Sequence, residues 1–229
     1  MTDTYQSSNI YVPGLGIPGR PFKDGLGSGE ERLAGAGHLA IGGHRYTDRE
    51  LAGLPYIGRE HPHAAEWNSR QASSRRLIRY LTDKKKAAGI LEVGCGNGWL
   101  SHQLSKVPGS RVIGLDPNLI ELQQAARIFR GKPHLKFIYG DFYSTVLQGL
   151  SFDIIVFAAV IQHFPSLSGL LEEALPYLRP RGEIHILDSC LYEPDLSAFH
   201  HQYLYRPHSF WNRLLRKKGD FPWVCVTNA

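Results

Sequence analysis

The run Ile90-Leu91-Glu92-Val93, followed by Gly94-Cys95-Gly96-Asn97-Gly98 and then Trp99-Leu100, constrains this chain more than any other stretch. An apolar strand pattern passes into three alternating glycines and then into a helix pattern. Without a Cβ, such a turn accepts dihedrals and approach distances that other residues exclude, so a ligand can lie against its backbone. The spacing is G-x-G-x-G, with Trp99 where the dinucleotide fingerprint needs a third small residue for close helix–strand packing. Glu92, two residues before the first glycine, would repel a pyrophosphate and tolerate or attract an ammonium and a sulfonium. The turn therefore predicts a cationic nucleoside ligand rather than NAD.

The flanking pattern gives the fold class. Asn68 to Leu81 reads as a helix, Gly89 to Val93 as a buried strand, Trp99 to Val107 as a helix, Arg111 to Leu115 as a strand and Leu119 to Phe129 as a helix. Strands follow at Leu135 to Tyr139, Phe152 to Ala158 and Gly182 to Leu187, with a helix at Leu167 to Leu178. Continuous apolar runs such as Ile154-Ile155-Val156-Phe157 suit strands covered on both faces. The expected fold is doubly wound α/β, a mostly parallel sheet of about six or seven strands with helices on both faces. In such sheets the ligand lies beyond the carboxyl ends of the strands where strand order reverses.

At those ends stand Asp116, in Val112-Ile113-Gly114-Leu115-Asp116-Pro117, and Asp141, in Tyr139-Gly140-Asp141-Phe142. A carboxylate at the first position can accept both ribose hydroxyls. One at the second can take an adenine amino group while Phe142 or Pro117 covers the ring. Each aspartate also suits a plain turn or helix cap. The fourth strand ends in Ala158-Ala159, where small residues leave room, followed by Ile161-Gln162-His163-Phe164-Pro165.

Together, Leu91 to Gly98, Gly114-Leu115-Asp116, Gly140-Asp141-Phe142 and the stretch from Phe152 to His163 resemble the class I S-adenosylmethionine-dependent methyltransferases over residues 67 to 190. The resemblance implies that Glu92, Gly94, Cys95 and Gly96 line the methionine part of S-adenosyl-L-methionine, with Gly98 and Pro117 also among the cofactor-binding residues. It further implies that Asp116 holds the ribose, that Asp141 and Phe142 hold adenine, and that Ala158 to His163 face the sulfonium and the acceptor. Arg70 is similar in placement to residues that reach the cofactor carboxylate. His163 is the candidate proton acceptor where the methyl acceptor arrives protonated, and the product is S-adenosyl-L-homocysteine. The chain departs from the family after Leu187: an aromatic or helical stretch, Leu196 to Lys218, precedes one strand pattern at Pro222 to Thr227, so a terminal strand is expected to be missing or relocated.

Residues 1 to 60 hold half of the 24 glycines together with Pro13, Pro18 and Pro21, and predict an irregular arm, with a domain over residues 61 to 229. Its apolar residues, among them Tyr46 and Tyr56, suggest that part of it packs over the domain as a substrate cover. No apolar run reaches the roughly 18 residues of a membrane span, and the first eight residues do not resemble a secretion signal. Three cysteines without C-x-x-C indicate neither disulfides nor a thiolate zinc site, which fits a cytoplasmic chain.

The net charge is +5. Lys84-Lys85-Lys86 and Arg216-Lys217-Lys218 each end a helix pattern, where the macrodipole favours cations, so nucleic acid is a secondary expectation and a small-molecule acceptor the leading one. Eleven histidines, including His61-Pro62-His63, His200-His201 and His208, lack metal-ligand spacing, and no metal is expected. The other functional classes are a non-catalytic adenosyl-binding partner protein, an RNA or protein methyltransferase and, disfavoured by Trp99 and Glu92, an NAD-dependent oxidoreductase.

Overall fold

The structure, a computed structural model, describes residues 10–11, 46–189, 196–206 and 221–227. Its strands are β1 (Ile10–Tyr11), β2 (Gly89–Val93), β3 (Arg111–Asp116), β4 (Leu135–Tyr139), β5 (Phe152–Ala158), β6 (Leu178–Leu187), β7 (His201–Tyr205) and β8 (Trp223–Thr227). Helices α1 (Asp48–Gly53), α2 (Ala64–Asp83), α3 (Trp99–Leu104), α4 (Leu119–Ile128) and α5 (Leu167–Ala174) connect or flank them. The order across the sheet is β1-β4-β3-β2-β5-β6-β8-β7. Seven strands form the expected sheet, and the two-residue β1 adds an eighth beside β4.

The chain winds outward from β2 through β3 to β4, then returns so that β5 pairs with the other side of β2. That reversal puts the switch point between β2 and β5, at the glycine turn. Residues on β5 alternate between two cores. Ile154 and Val156 face one with Trp67, Leu77, Leu100 and Phe137; Ile155 and Phe157 face the other with Leu91, Leu115, Leu170 and Ile186. Burial on both faces explains why the strand reads as one unbroken apolar run.

Local chemistry sets the element ends. Asn118 caps α4 by accepting from Glu121 N, and Ser166 caps α5 by accepting from Gly169 N. The helix expected to run to Leu178 stops at Ala174. Pro176 has no N–H to continue the ladder, so a tight turn over Leu175–Tyr177 intervenes and β6 begins at Leu178, earlier than expected. Likewise, α3 ends at Leu104 rather than Val107, where the Ser105 hydroxyl donates to His102 O at 2.8 Å.

The far edge corrects the sequence reading. His201–Tyr205, placed in a helical or aromatic stretch, is strand β7 and pairs antiparallel with β8, which in turn pairs antiparallel with β6. The terminal strand pair is therefore present. Arg76 stacks on Tyr205 at 3.7 Å and Arg206 on Tyr203 at 3.8 Å, so a guanidinium covers a face of each ring. Phe210, Trp211 and the Arg216-Lys217-Lys218 cluster lie outside the described residues, as do most of residues 1 to 45.

The end of the expected arm packs into the main core. Leu51 and Leu54 are fully buried, Gln103 Nε2 donates to Leu54 O, and Trp67 Nε1 donates to Tyr46 Oη at 2.8 Å. Among the described residues no helix is long and apolar enough to cross a membrane.

Helix α2 is pinned at its C-terminal end by a buried polar group. Lys84 donates to Glu183 Oε1 at 2.5 Å, Tyr80 Oη donates to the same carboxylate, and His185 Nε2 stands 3.2 Å from Glu183 Oε2. Lys84 is thus a helix-end cation with a specific partner as well as a favourable dipole. Burial alone would raise the Glu183 pKa; the adjacent His185 ring and the Lys84 ammonium outweigh it and hold it at about 2, below the ordinary 4.5. A depressed carboxyl pKa stabilises the fold above the ordinary value, and that stabilisation is lost as pH falls from about 4.5 towards 2. Urea unfolding across this window should show a steeper loss of stability for the wild type than for Glu183→Gln; equal slopes would refute the pairing.

Candidate functional site

The glycine turn is held by backbone and by one side chain. Gly94 N and Cys95 N donate to Leu115 O at 2.8 and 3.1 Å, so the turn leans over the end of β3. Gly96 N donates to Asp116 Oδ2 at 2.7 Å, and Asn118 N donates to Asp116 Oδ1 at 2.7 Å. One carboxylate therefore joins the turn after β2 to the turn after β3. Two glycines are required by contact as well as by dihedral. With φ at +71° and +73°, Gly94 and Gly98 sit in the left-handed region, and a Cβ would lie 2.3 Å from Val160 Cγ2 and 2.6 Å from Phe137 Cε1 respectively. Gly98 thus supplies the close helix–strand packing. Trp99 turns into the core, edge-on to Trp67 at 5.1 Å between ring centres.

Glu92 differs from its expected part. Its side chain is 3% exposed and accepts the Ser101 hydroxyl, which ties the first turn of α3 to β2. Burial drives its pKa up, opposed by the Ser101 hydrogen bond and reinforced by the Asp116 charge, to about 8. At neutral pH the carboxyl is largely protonated, so ligand choice does not rest on a Glu92 charge. Asp116 is also pushed up by burial, but the N–H groups of Gly96 and Asn118 stabilise its ionised form. The thiol of Cys95 is raised well above its ordinary value by burial and neighbouring carboxylates, which leaves its backbone as the part that faces the turn.

The other expected residues separate. Pro117 is half-buried beside Asp116, and Ala158 is half-buried at the end of β5, paired in register with Leu187. Asp141 Oδ1 accepts Tyr143 N at 2.7 Å, a turn-forming bond. The Phe142 ring is 3% exposed and packs among Phe157, Phe164 and Tyr177. His163 lies on an exposed turn over Ile161–His163 beyond β5, its pKa lowered by partial burial and its ring unbonded to any described residue. Arg70, on α2, pairs with Glu66 at 3.1 Å and stacks over Trp67.

Three residues at this end of the sheet escaped the sequence reading. Glu121 Oε2 would lie 2.6 Å from a Cβ on Gly96, and Ser73 Oγ donates to Asp188 Oδ2 at 2.8 Å. Asp188 had a legible signal, since it follows an apolar strand as Asp116 does. Val160, within the stretch expected to face the ligand, contacts Gly94.

Among the described residues one cluster offers metal-type ligands: Glu183, His185 and Cys225, with ligand atoms within 4.8 Å of one another. Its chemistry opposes a cation. The Lys84 ammonium occupies Glu183, and Trp223 Nε1 donates to His185 Nδ1 at 3.1 Å, which places the ring proton on Nε2. Burial also raises the Cys225 thiol to about 12. His61 stacks on Tyr46 and His63 lies beside His61, and His200 Nδ1 pairs with Thr227 Oγ1 at 2.8 Å.

Residues 91–186 match a family model described as a methyltransferase domain. Over 96 residues, 41% of this chain and 26% of the relative, the sequence is 36% identical to sterol 24-C-methyltransferase of Pneumocystis carinii. Over 116 residues, 47% of this chain and 43% of the relative, it is 29% identical to malonyl-acyl-carrier protein O-methyltransferase of Halalkalibacterium halodurans. The chain thus spans less than half the length of these curated relatives. Magnesium protoporphyrin IX methyltransferase of Synechocystis, solved with S-adenosylmethionine bound, superposes with a TM-score of 0.56 at 13% identity, covering 80% of this chain and 92% of that one. The plantazolicin methyltransferase BpumL, solved with a triazolic desmethylPZN analogue and S-adenosylhomocysteine, gives 0.54 at 18%, covering 87% and 98%. At such identities the likeness shows a shared fold.

The Glu92 environment makes a prediction of its own. A carboxyl raised from 4.5 to about 8 favours the fold while protonated and costs stability as pH rises through that interval. Glu92→Gln should flatten the loss of urea stability between about pH 5 and 8; a wild-type stability that does not fall over this range would refute the protonated state.

Proposed function

We propose, from a domain over residues 91–186 that belongs to the class I S-adenosylmethionine-dependent methyltransferases, that this protein binds S-adenosyl-L-methionine at the β2–β5 switch point and methylates a small-molecule acceptor. The observation that carries the reading is Asp116. Each of its oxygens accepts one backbone N–H and keeps lone-pair capacity for a ribose hydroxyl, beside a turn whose glycines bring Gly94, Cys95 and Gly96 backbone to the ligand. Asp141 is the acceptor for the adenine amino group, and Pro117 is the apolar cover.

The donor supplies an activated methyl on its sulfonium sulfur when bound. The residues of the chain align the acceptor for in-line displacement and exclude water. Ala158 and Ala159 leave space at the end of β5. His163, neutral at pH 7 and exposed on the adjoining turn, takes the proton where the acceptor brings one.

Two observations support a small acceptor. Several basic residues already have internal partners: Lys84 pairs with Glu183, and Arg76 and Arg206 stack on tyrosines, which reduces the free cationic surface that a nucleic acid would use. The named relatives and structural neighbours also include enzymes of sterol and porphyrin substrates. We place the protein in the cytoplasm, a setting consistent with the free, buried Cys95 and Cys225.

Calorimetric titration of the folded protein with S-adenosyl-L-homocysteine should give saturable binding. Asp116→Ala should weaken it by about 1.5–3 kcal/mol, roughly ten- to hundredfold. Unaltered affinity would remove the ribose assignment. Turnover with methyl-labelled donor and fractionated cell extract should label the low-molecular-weight fraction, whereas label in RNA or protein would replace the acceptor class.

A further inference from the structure

The two ends of the sheet differ in charge. At the carboxyl ends stand Asp116, Asp141 and Asp188, with Glu121 in the first turn of α4. At the amino ends of β2, β3 and β4, the segments 84–88, 105–111 and 129–136 contain Lys84, Lys85, Lys86, Lys106, Arg111, Arg130, Lys132 and Lys136 and no acid. These segments form one surface. Arg111 N donates to Ala88 O at 2.9 Å, Val112 N donates to His134 O at 2.7 Å, and His134 Nε2 lies 3.1 Å from Ser105 O. A Cβ on Gly109 would lie 3.2 Å from Ala87 Cβ.

The acids that border this surface are already taken. Glu183 pairs with Lys84, Asp83 with Arg79, Asp153 with Arg179 and Asp48 with Arg127. Apart from Lys84, no cation of the three segments has an acidic partner among the described residues. Lys106 donates to the neutral Gln103 amide at 2.8 Å. Burial, and after it the charges of Lys106 and Lys132, lower the pKa of His102 to about 4, as expected where positive charges gather without a counter-ion. Lys85 holds the left-handed position after α2, φ +51°, where glycine is usual, so an ammonium is kept there at a conformational cost.

Between the first two segments lies a cleft of about 440 Å³, lined by Leu81, Val107 and Pro108 as well as by Lys85, Lys86 and Asp83. An apolar lining edged by cations suits an anion that carries an apolar part, as a phospholipid does. A single-stranded nucleic acid is less well matched, because none of the three segments exposes a phenylalanine, tyrosine or tryptophan ring on which a base could stack. We propose that this end of the sheet docks on an anionic phospholipid surface, its lysines and arginines against the phosphates and the crevice at the opposite end turned to water. Such docking needs no spanning helix, since each lysine or arginine held near an anionic leaflet strengthens attachment by about fivefold. It is independent of the donor reading.

Vesicle sedimentation of the full chain tests it. The wild type should pellet with vesicles of phosphatidylcholine mixed with phosphatidylglycerol at low ionic strength, stay in solution with phosphatidylcholine alone, and be released by high salt, which screens exposed charges. Lys85→Gly with Lys86→Gln, and separately Lys106→Gln with Lys132→Gln, should each weaken the partition by roughly 25-fold, about fivefold per charge. Lys85→Gly should also raise the melting temperature, since glycine accepts the left-handed backbone, which separates lost docking from lost folding. Arg59→Gln with Arg75→Gln removes the same charge from exposed positions outside the three segments and should change the partition far less. A wild type that stays in solution with the anionic vesicles, or an equal loss in the Arg59 and Arg75 pair, would overturn the proposal. Tighter binding to single-stranded RNA than to the vesicles, lost in the same lysine variants, would replace the lipid surface with a polynucleotide. None of these results alters the S-adenosyl-L-homocysteine titration on which the donor reading stands.

Discussion

The Asp116 carboxylate is the interaction on which the crevice depends. It is 8% exposed, and a buried carboxylate is tolerable only when hydrogen bonds replace its lost hydration. The N–H groups of Gly96 and Asn118 do this, one on each oxygen, and so make the turn after β2 and the turn after β3 a single unit. The Leu115 carbonyl completes it by accepting from both Gly94 and Cys95. A ligand seated there meets a preorganised backbone, because the groups that shape the turn are already committed to one another.

Helix α2 is the second fixed element. It is tied to β6 by two polar contacts, Ser73 to Asp188 near its middle and Lys84 to Glu183 at its end, and by Trp67 and Leu77 in the core between. A helix anchored only by apolar contacts can slide or rotate at modest cost. Two hydrogen-bonded points about three turns apart fix both its height and its rotation, and with them the direction in which Arg70 projects. The same strand that closes the far side of the sheet therefore sets the position of a basic side chain at the crevice.

Much of this was legible in the residues, and the failures have separate causes. Strands β2, β4 and β5 begin and end where apolar periodicity puts them, because burial on both faces leaves no ambiguity in a short run. The glycine turn was legible because three left-handed positions admit few other residues. Strand β7 was misread since Phe199, Tyr203 and Tyr205 suit a helix face as well as a strand, and only the pairing with β8 decides. The packing of Phe142 depends on Phe157, Phe164 and Tyr177, distant in sequence, and the protonation of Glu92 depends on Ser101, whose direction is set by packing. Asp188, in contrast, sat in view: the rule that directs attention to the carboxyl ends of strands applies to β6 as it does to β3.

The protonated state of Glu92 changes how the crevice selects a ligand. The Asp116 charge adds to burial in raising the Glu92 pKa, so ionising both carboxyls together is disfavoured; burial raises Asp116 as well, and the Gly96 and Asn118 N–H groups oppose that rise. Discrimination against a pyrophosphate then comes from the Asp116 carboxylate and from the fold of the turn, in which Gly96 N is already directed at Asp116 rather than outward to a phosphate. A ligand that presents hydroxyls to Asp116 loses nothing by that arrangement, whereas one that needs the turn's N–H groups would have to break it. The preference for an uncharged ribose and a cationic centre over a dinucleotide thus follows from where one backbone N–H points, and Glu92 serves it indirectly by holding α3 against β2.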